Sequence, residues 1–231
     1  VTHIGFAVFV LGTVITFSNS EIISHNTSEF DLGDAQRNQE NLVLMRNDTL
    51  KMERYHVVYT ASRKEGNTML LVSAFASVLK ERQHHVRTLY LNDMNIRPCQ
   101  GCMTCLATGT CRINDDMKDI RKYIVESDCI VLATPIYWFT VSGQLKLAMD
   151  RSLPFMDETY VSRIKGKRVY TLMTCGSEDE GVCSPALGTF AKTFELLGLV
   201  WTGHVEALGC PDRGPVKETY LEQVRMMASS L

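Results

Sequence analysis

Cys99, Cys102, Cys105 and Cys111 fall within thirteen residues, in the run Cys99-Gln-Gly-Cys-Met-Thr-Cys-Leu-Ala-Thr-Gly-Thr-Cys111, and make up half of the eight cysteines in a 231-residue chain. Thiolates this close can share a metal ion or a cluster, pair as disulfides, or act as redox thiols. The other four, Cys129, Cys175, Cys183 and Cys210, are scattered and read as core or loop residues.

Three further segments could bind a ligand. Ser62-Arg-Lys-Glu-Gly-Asn-Thr68 has Gly66 for a close backbone approach, with Asn67 and Thr68 as donors. Placed before a helix, such a turn suits a phosphate, and Ser62, Arg63 and Lys64 add a hydroxyl and positive charge. The chain has neither a Gly-Lys-Ser/Thr phosphate loop nor a Gly-x-Gly-x-x-Gly, which argues against a dinucleotide fingerprint. Thr134-Pro-Ile-Tyr-Trp-Phe-Thr-Val-Ser142 carries Pro135, Ile136, Tyr137, Trp138 and Phe139, a suitable wall for a flat aromatic ligand. Thr174-Cys-Gly-Ser-Glu-Asp-Glu-Gly181 is small and polar, and Thr174 and Gly176 would let a ring approach the backbone. No side chain stands out as an acid–base catalyst.

The elements that position these segments follow from hydrophobic periodicity. Strands are expected at Tyr55–Ala61, Val86–Leu91, Cys129–Thr134, Arg168–Thr174 and Val200–Leu208. Helices are expected at Thr68–Arg82, Asp115–Glu126, Ser142–Ser152, Pro185–Leu197 and Lys217–Ala228, with Asp115 and Asp116 favouring a helix start. Strands alternating with helices imply right-handed crossovers, so the fold class is α/β, a doubly wound five-stranded parallel sheet. In such a sheet ligands bind beyond the carboxyl ends of the strands, where all three segments fall. A phosphate site, an aromatic wall and a glycine-bearing edge converge on one ligand type: FMN in a flavodoxin-like sheet.

Residues 55 to about 210 resemble the flavodoxin-like, NAD(P)H-dependent FMN reductase superfamily, and are most similar to its iron–sulfur flavoprotein branch. The matching motifs are S-R-K-E-G-N-T at Ser62–Thr68, C-Q-G-C-M-T-C at Cys99–Cys105, D-D-M at Asp115–Met117, T-P-I-Y-W-F at Thr134–Phe139 and Q-L-K-x-x-M-D-R at Gln144–Arg151. The resemblance implies an oxidoreductase whose FMN phosphate lies in the first loop and whose ring lies against the second and third. Where members usually open the first loop Gly-Ser-Pro-Arg, this chain has Thr60-Ala61-Ser62-Arg63, so the usual serine contact falls on Ala61. The expected electron donor is NAD(P)H. The expected acceptor is a small molecule, a quinone or a flavin, or a redox protein such as ferredoxin. Related proteins place flavins at subunit interfaces, which implies a homodimer or homotetramer.

The cysteine run, C-x2-C-x2-C-x5-C, resembles compact ferredoxin ligation, whereas structural zinc more often uses two separated pairs. The branch implies a 4Fe-4S cluster on Cys99, Cys102, Cys105 and Cys111. Free redox thiols, zinc and plain loop packing stand beside that reading. The rival classes for the whole chain are a non-catalytic electron carrier and a thiol or zinc sensor.

Composition agrees with a globular oxidoreductase. The chain is 45% hydrophobic and 22% charged, with a formal net charge of −2, which disfavours nucleic acid and anionic membrane surfaces as partners. Clustered cysteines in a chain this long favour a reducing, cytoplasmic compartment. The fourteen-residue apolar run Ile4–Phe17 is shorter than the roughly 20 residues of a spanning helix. It is expected to belong to an N-terminal extension, residues 1–51, with a short helix near Gln39–Leu50. An export or membrane role for the run is the alternative. Residues 52–231 are expected to form the FMN-binding domain.

Overall fold

The computed structural model describes residues 55–60, 64–210 and 215–231, which fall within one compact unit spanning Glu53–Leu231. The apolar run Ile4–Phe17, the helix expected near Gln39–Leu50, and Ala61, Ser62 and Arg63 lie outside the described residues.

Among the described residues five parallel strands form the sheet: β1 (Tyr55–Thr60), β2 (His85–Tyr90), β3 (Cys129–Tyr137), β5 (Arg168–Thr174) and β6 (Val200–Ala207). A two-residue β4 (Thr140–Val141) folds back antiparallel on the end of β3. The spatial order is β2-β1-β3-β5-β6, the flavodoxin-like arrangement expected from the alternating pattern. The chain leaves β1 to one side for β2 and returns on its other side as β3. The topological switch point therefore lies between β1 and β3.

Alternation along the strands sorts the core into two layers. On one face, Tyr170 and Leu172 of β5 and Val131 and Ala133 of β3 pack under α1 (Asn67–Glu81). On the other face, Val169 and Met173 of β5 and Ile130 of β3 pack under three helices. These are α3 (Met117–Glu126), α4 (Gly143–Asp150) and α5 (Ser184–Leu197). The closing helix α6 (Glu218–Ser229) joins the α1 face through Val224 and Ala228. Leu71, Phe75 and Leu79 of α1 are fully buried, and each contributes about 1.5–3 kcal/mol by leaving water. Phe75 sits 5.5 Å from the Tyr170 ring, so Phe75→Ala would open this layer at a cost of about 3–5 kcal/mol.

Helix ends follow local chemistry. Pro185 occupies the first turn of α5, where no N–H is needed. Gly198 ends that helix at φ +62, and Leu199 N–H donates to the Phe194 carbonyl across it. A Cβ on Gly198 would stand 2.9 Å from Lys165 Cγ, so a side chain is excluded there as well as strained.

The structure departs from the sequence pattern in three places. First, β3 runs on to Tyr137 and turns back as a hairpin, so Pro135, Ile136 and Tyr137 lie on a strand and not in a loop. The two residues of β4 are too few to show a period. Second, a short helix α2 (Thr104–Thr108) lies inside the cysteine run, again below the length at which periodicity shows. Third, Asp115 lies ahead of α3, which begins at Met117, and is drawn inward by a long-range ion pair. Among the described residues no helix is long and apolar enough to cross a membrane.

Candidate functional site

Strand register brings the three segments expected to bind a ligand to one edge. Thr60 at the end of β1 pairs with Ala133 of β3, and Pro135 of β3 pairs with Thr174, the last residue of β5. The connections leaving β1, β3 and β5 therefore open side by side at the carboxyl end of the sheet.

The first connection feeds α1. Its N-cap, Gly66, is in extended backbone, with no side-chain cap and no acidic residue in the first turn. The leading N–H groups of a helix have no intrahelical acceptor, and the helix dipole adds partial positive charge there. An uncapped start without carboxylates suits an anion. Thr68, on the first turn, is 2% exposed, and its Oγ1 lies 2.7 Å from Thr174 Oγ1. One buried hydroxyl pair thus ties the first connection to the third. Lys64 is directed elsewhere, with Nζ 2.7 Å from Asp93 Oδ2.

The second connection is the β3–β4 hairpin. Ile136 faces Val141 and Tyr137 faces Thr140, leaving Trp138 and Phe139 as the two turn residues. Both have positive φ, +50 and +67, as a type I′ hairpin turn demands. Asn and Gly usually fill such positions, so two bulky aromatics there hold strain. The turn leaves Trp138 92% exposed, with Tyr137 and Phe139 more than half exposed. Ile136 is buried in the core, so the aromatic surface consists of residues 137–139. The hairpin base is fixed by Thr134, whose hydroxyl accepts from Ser142 N–H at 3.0 Å and donates to the Pro135 carbonyl at 2.8 Å.

The third connection starts beside β6. Cys175 N–H donates to the Ala207 carbonyl and Cys210 N–H to the Cys175 carbonyl. At Gly176 a built Cβ meets only the Cys210 carbonyl, 3.8 Å away, so this edge is open.

The cysteine run leaves β2 through a short turn, Leu91–Asp93, that touches both neighbouring connections. Asp93 pairs with Lys64 of the first, and Asn92 Oδ1 accepts from Gln144 Nε2 just beyond the hairpin, at 3.1 Å. The stalk of the cysteine loop therefore stands between the phosphate-type turn and the aromatic hairpin. Within the loop, Gly101 and Met103 adopt left-handed backbone, and α2 carries Cys105 inward while Cys99 and Cys102 stay exposed. Thr104, through its N–H and hydroxyl, holds the Cys102 thiol below its ordinary pKa. Burial pushes Cys105 up, and the charges of Cys111, Cys102 and Cys99 push the same way. Cys105 thus lies within electrostatic reach of the other three thiols. Among the described residues no three His, Cys, Asp or Glu side chains are already drawn together as a metal site. The donor set is four soft thiols on a glycine-bearing loop, which fits thiolate ligation by chemistry.

The neck of this loop is held by a buried ion pair. Arg151 Nη1 donates to the Arg97 carbonyl (2.7 Å) and to Asp115 Oδ2 (2.9 Å). Nη2 donates to Asp115 Oδ1 (3.0 Å) and to the Ile113 carbonyl (3.5 Å). Asp115 also accepts from the N–H groups of Arg97 and Met117. One rung further out, Asn95 and Asp116 exchange two hydrogen bonds. Burial opposes the charge on Asp115, but the Arg151 guanidinium and these N–H donors outweigh it and hold the carboxyl below its ordinary range. The other cysteines are packing residues, and burial pushes the thiols of Cys129 and Cys183 up to about 12.

The model of the family described as NADPH-dependent FMN reductase matches residues 54–186, from β1 through the start of α5. The chain belongs to this family. An iron–sulfur flavoprotein of Archaeoglobus fulgidus is 27% identical over 169 residues, covering 73% of this chain and 74% of that protein. An iron–sulfur flavoprotein of Methanocaldococcus jannaschii is 42% identical over 92 residues, 40% of this chain and 48% of that protein. Among solved structures, an NAD(P)H:quinone oxidoreductase from Methanothermobacter marburgensis superposes with a TM-score of 0.63 at 16% identity, over 76% of this chain and 94% of that one. An FMN-dependent NADH-azoreductase from Bacillus anthracis, in complex with FMN, gives 0.61 at 16% identity, over 77% and 99%. These last two likenesses are of fold.

For this FMN reductase family member, the structure gathers Gly66, Asn67, Thr68, Pro135, Tyr137, Trp138, Phe139, Thr174 and Gly176 at one sheet edge. It sets Ile136 into the core and leaves Ser62 and Arg63 outside the described residues. Sequence reasoning read Asp115 only as helix-start charge and gave Arg151 no role. Their motifs, D-D-M and Q-L-K-x-x-M-D-R, were visible, but their pairing across 36 positions was not.

Proposed function

We propose that this chain is an FMN-dependent oxidoreductase that takes electrons from NAD(P)H and delivers them to a quinone or flavin acceptor, with a 4Fe-4S cluster on Cys99, Cys102, Cys105 and Cys111 as a second electron site. The observation that carries the reading is the register-locked convergence of three connections at the β1–β3 switch point of an FMN reductase fold. FMN, when bound, supplies hydride acceptance and one-electron release.

The residues of the chain divide the work. The first-turn N–H groups of α1, with Asn67 and Thr68, hold the phosphate, and Ser62 and Arg63 join them from the same connection. Thr174 fixes Thr68 from behind through their hydroxyl contact. Tyr137, Trp138 and Phe139 cover the ring and exclude water from one side, while Pro135 and the open backbone at Gly176 border its edge. The four thiolates hold the cluster beside the same edge. The relatives named iron–sulfur flavoprotein support this part of the reading. Exposed aromatics at the site suit completion by a second copy, in a homodimer or homotetramer.

The test is an anaerobic spectrum with metal analysis. Purified chain should bind FMN and oxidise NAD(P)H with a quinone acceptor, and it should contain about four iron per chain. Cys102→Ala should lose the iron and keep the flavin. A folded chain that binds no added FMN rejects the reading. Flavin binding with no iron after anaerobic reconstitution removes the cluster alone.

A further inference from the structure

Among the described residues Arg151 is the largest fully buried side chain, and it sits at the neck of the cysteine loop. A guanidinium has five N–H donors. Four are used there: two on the Asp115 carboxylate and one each on the carbonyls of Arg97 and Ile113. Arg97 lies two residues before Cys99, and Ile113 two residues after Cys111, so one side chain staples both ends of the loop. The fifth donor, Nε, is buried without a partner among the described residues. Cys111 interacts electrostatically with the same guanidinium. Both side chains of the ion pair are at most 1% exposed. A buried pair is poor evidence for stability, because well-packed apolar residues often do as well, and its better-attested use is to fix geometry.

We propose that Arg151, held by Asp115, is the positioning residue of the cysteine loop: it closes the neck and sets a buried cation there, presetting the loop for an anionic, thiolate-ligated cluster. This rests on the reading of Cys99, Cys102, Cys105 and Cys111 as cluster ligands. It adds a role for a residue that touches no iron itself. The guanidinium would donate to a ligating sulfur and, through its charge, favour the reduced form of the cluster.

The test compares the full chain with Arg151→Lys and Arg151→Gln after anaerobic reconstitution with ferrous iron and sulfide. FMN content should be equal in all three. In Arg151→Gln, iron affinity should fall about tenfold, as loss of an outer-shell partner typically costs. The cluster it retains should be about tenfold harder to reduce, a negative shift of about 59 mV for one electron. Arg151→Lys should keep the potential, because the charge remains, yet lose iron faster to a chelator, because the fork is gone. A wild-type potential and wild-type iron retention in Arg151→Gln overturn the proposal. If Arg151→Gln does not fold, Arg151→Lys decides by its chelator rate, and a rate equal to wild type overturns it. If the parent chain binds FMN but no iron, the cluster reading fails separately. The neck is then tested in the iron-free chain by limited proteolysis. Cleavage between Arg97 and Ile113 should be about tenfold faster in Arg151→Lys than in the parent chain. Equal rates overturn the neck itself.

Discussion

The aromatic hairpin and the cysteine loop leave adjacent parts of the same sheet edge, yet they are held by opposite means. The hairpin continues a core strand, and its backbone ladder forces Trp138 and Phe139 into left-handed conformations with their rings in solvent. The cysteine loop has no ladder. It is gathered at its neck by Arg151 and Asp115, while Cys99 and Cys102 stay at the surface. A rigid wall suits a planar ring that needs a fixed face. A loop gathered at its base, with Cys105 inward and Cys99 and Cys102 left at the surface, suits the proposed thiolate ligation.

The largest test of this contrast is to unpin the neck. Asp115→Ala leaves the Arg151 guanidinium buried without its counter-ion, and should cost about 3–5 kcal/mol of stability in urea denaturation. The pair should also mark the acid limb of stability. The folded carboxyl of Asp115 titrates below its ordinary value of 3.8, so its contribution is fully present above that value. It is lost as pH falls through the lower folded pKa. Asp115→Asn should therefore flatten the loss of stability below about pH 4 relative to the parent chain. Parallel acid curves for the two proteins would show that the pair does not shape stability there.

How much of the contrast was legible in the sequence depends on distance along the chain. The helix α5 was legible because fourteen residues repeat an apolar face several times. The strand β5 was legible end to end because its apolar run is bounded on both sides. The helix α2 and strand β4 were not, since five and two residues cannot display a period. Tyr137, Trp138 and Phe139 were legible as an aromatic cluster, but the hairpin was hidden because its turn lacks the glycine or asparagine that normally announces one. Asp115 beside Asp116 looked like ordinary helix-start charge. Its pairing with Arg151 is a tertiary event, set by how α3 and α4 pack on the sheet.

A smaller test asks whether the wall and the phosphate-type turn act as one unit. The Thr68–Thr174 hydroxyl pair is buried and joins the first and third connections. Thr68→Val or Thr174→Val alone strands the other hydroxyl, and should cost about 1–3 kcal/mol. The double Val variant should recover most of that stability, because both polar groups are then gone. FMN affinity should not recover with it, since Thr68 also lies on the first turn proposed to hold the phosphate. A double variant that regains both stability and FMN affinity would mean the hydroxyls serve packing alone.

The smallest expected effect on stability has the opposite sign to the others, which makes it the sharpest probe of the hairpin. Left-handed backbone costs an ordinary residue about 1–2 kcal/mol, and both turn residues carry it. Glycine removes that strain but adds about 0.5–1 kcal/mol of unfolded-state entropy, so Trp138→Gly or Phe139→Gly should leave stability unchanged or raise it by up to about 1.5 kcal/mol. Flavin binding should move the other way. Each ring removed takes away stacking surface worth about 0.5–1.5 kcal/mol, a weakening of FMN affinity by roughly two- to twelvefold in a fluorescence titration. Strain that persists while its relief costs nothing in folding is held for what the rings do. Should either glycine variant bind FMN as tightly as the parent chain, the rings are not the wall. The hairpin would then differ from the cysteine loop only in how it is built, and not in what it holds.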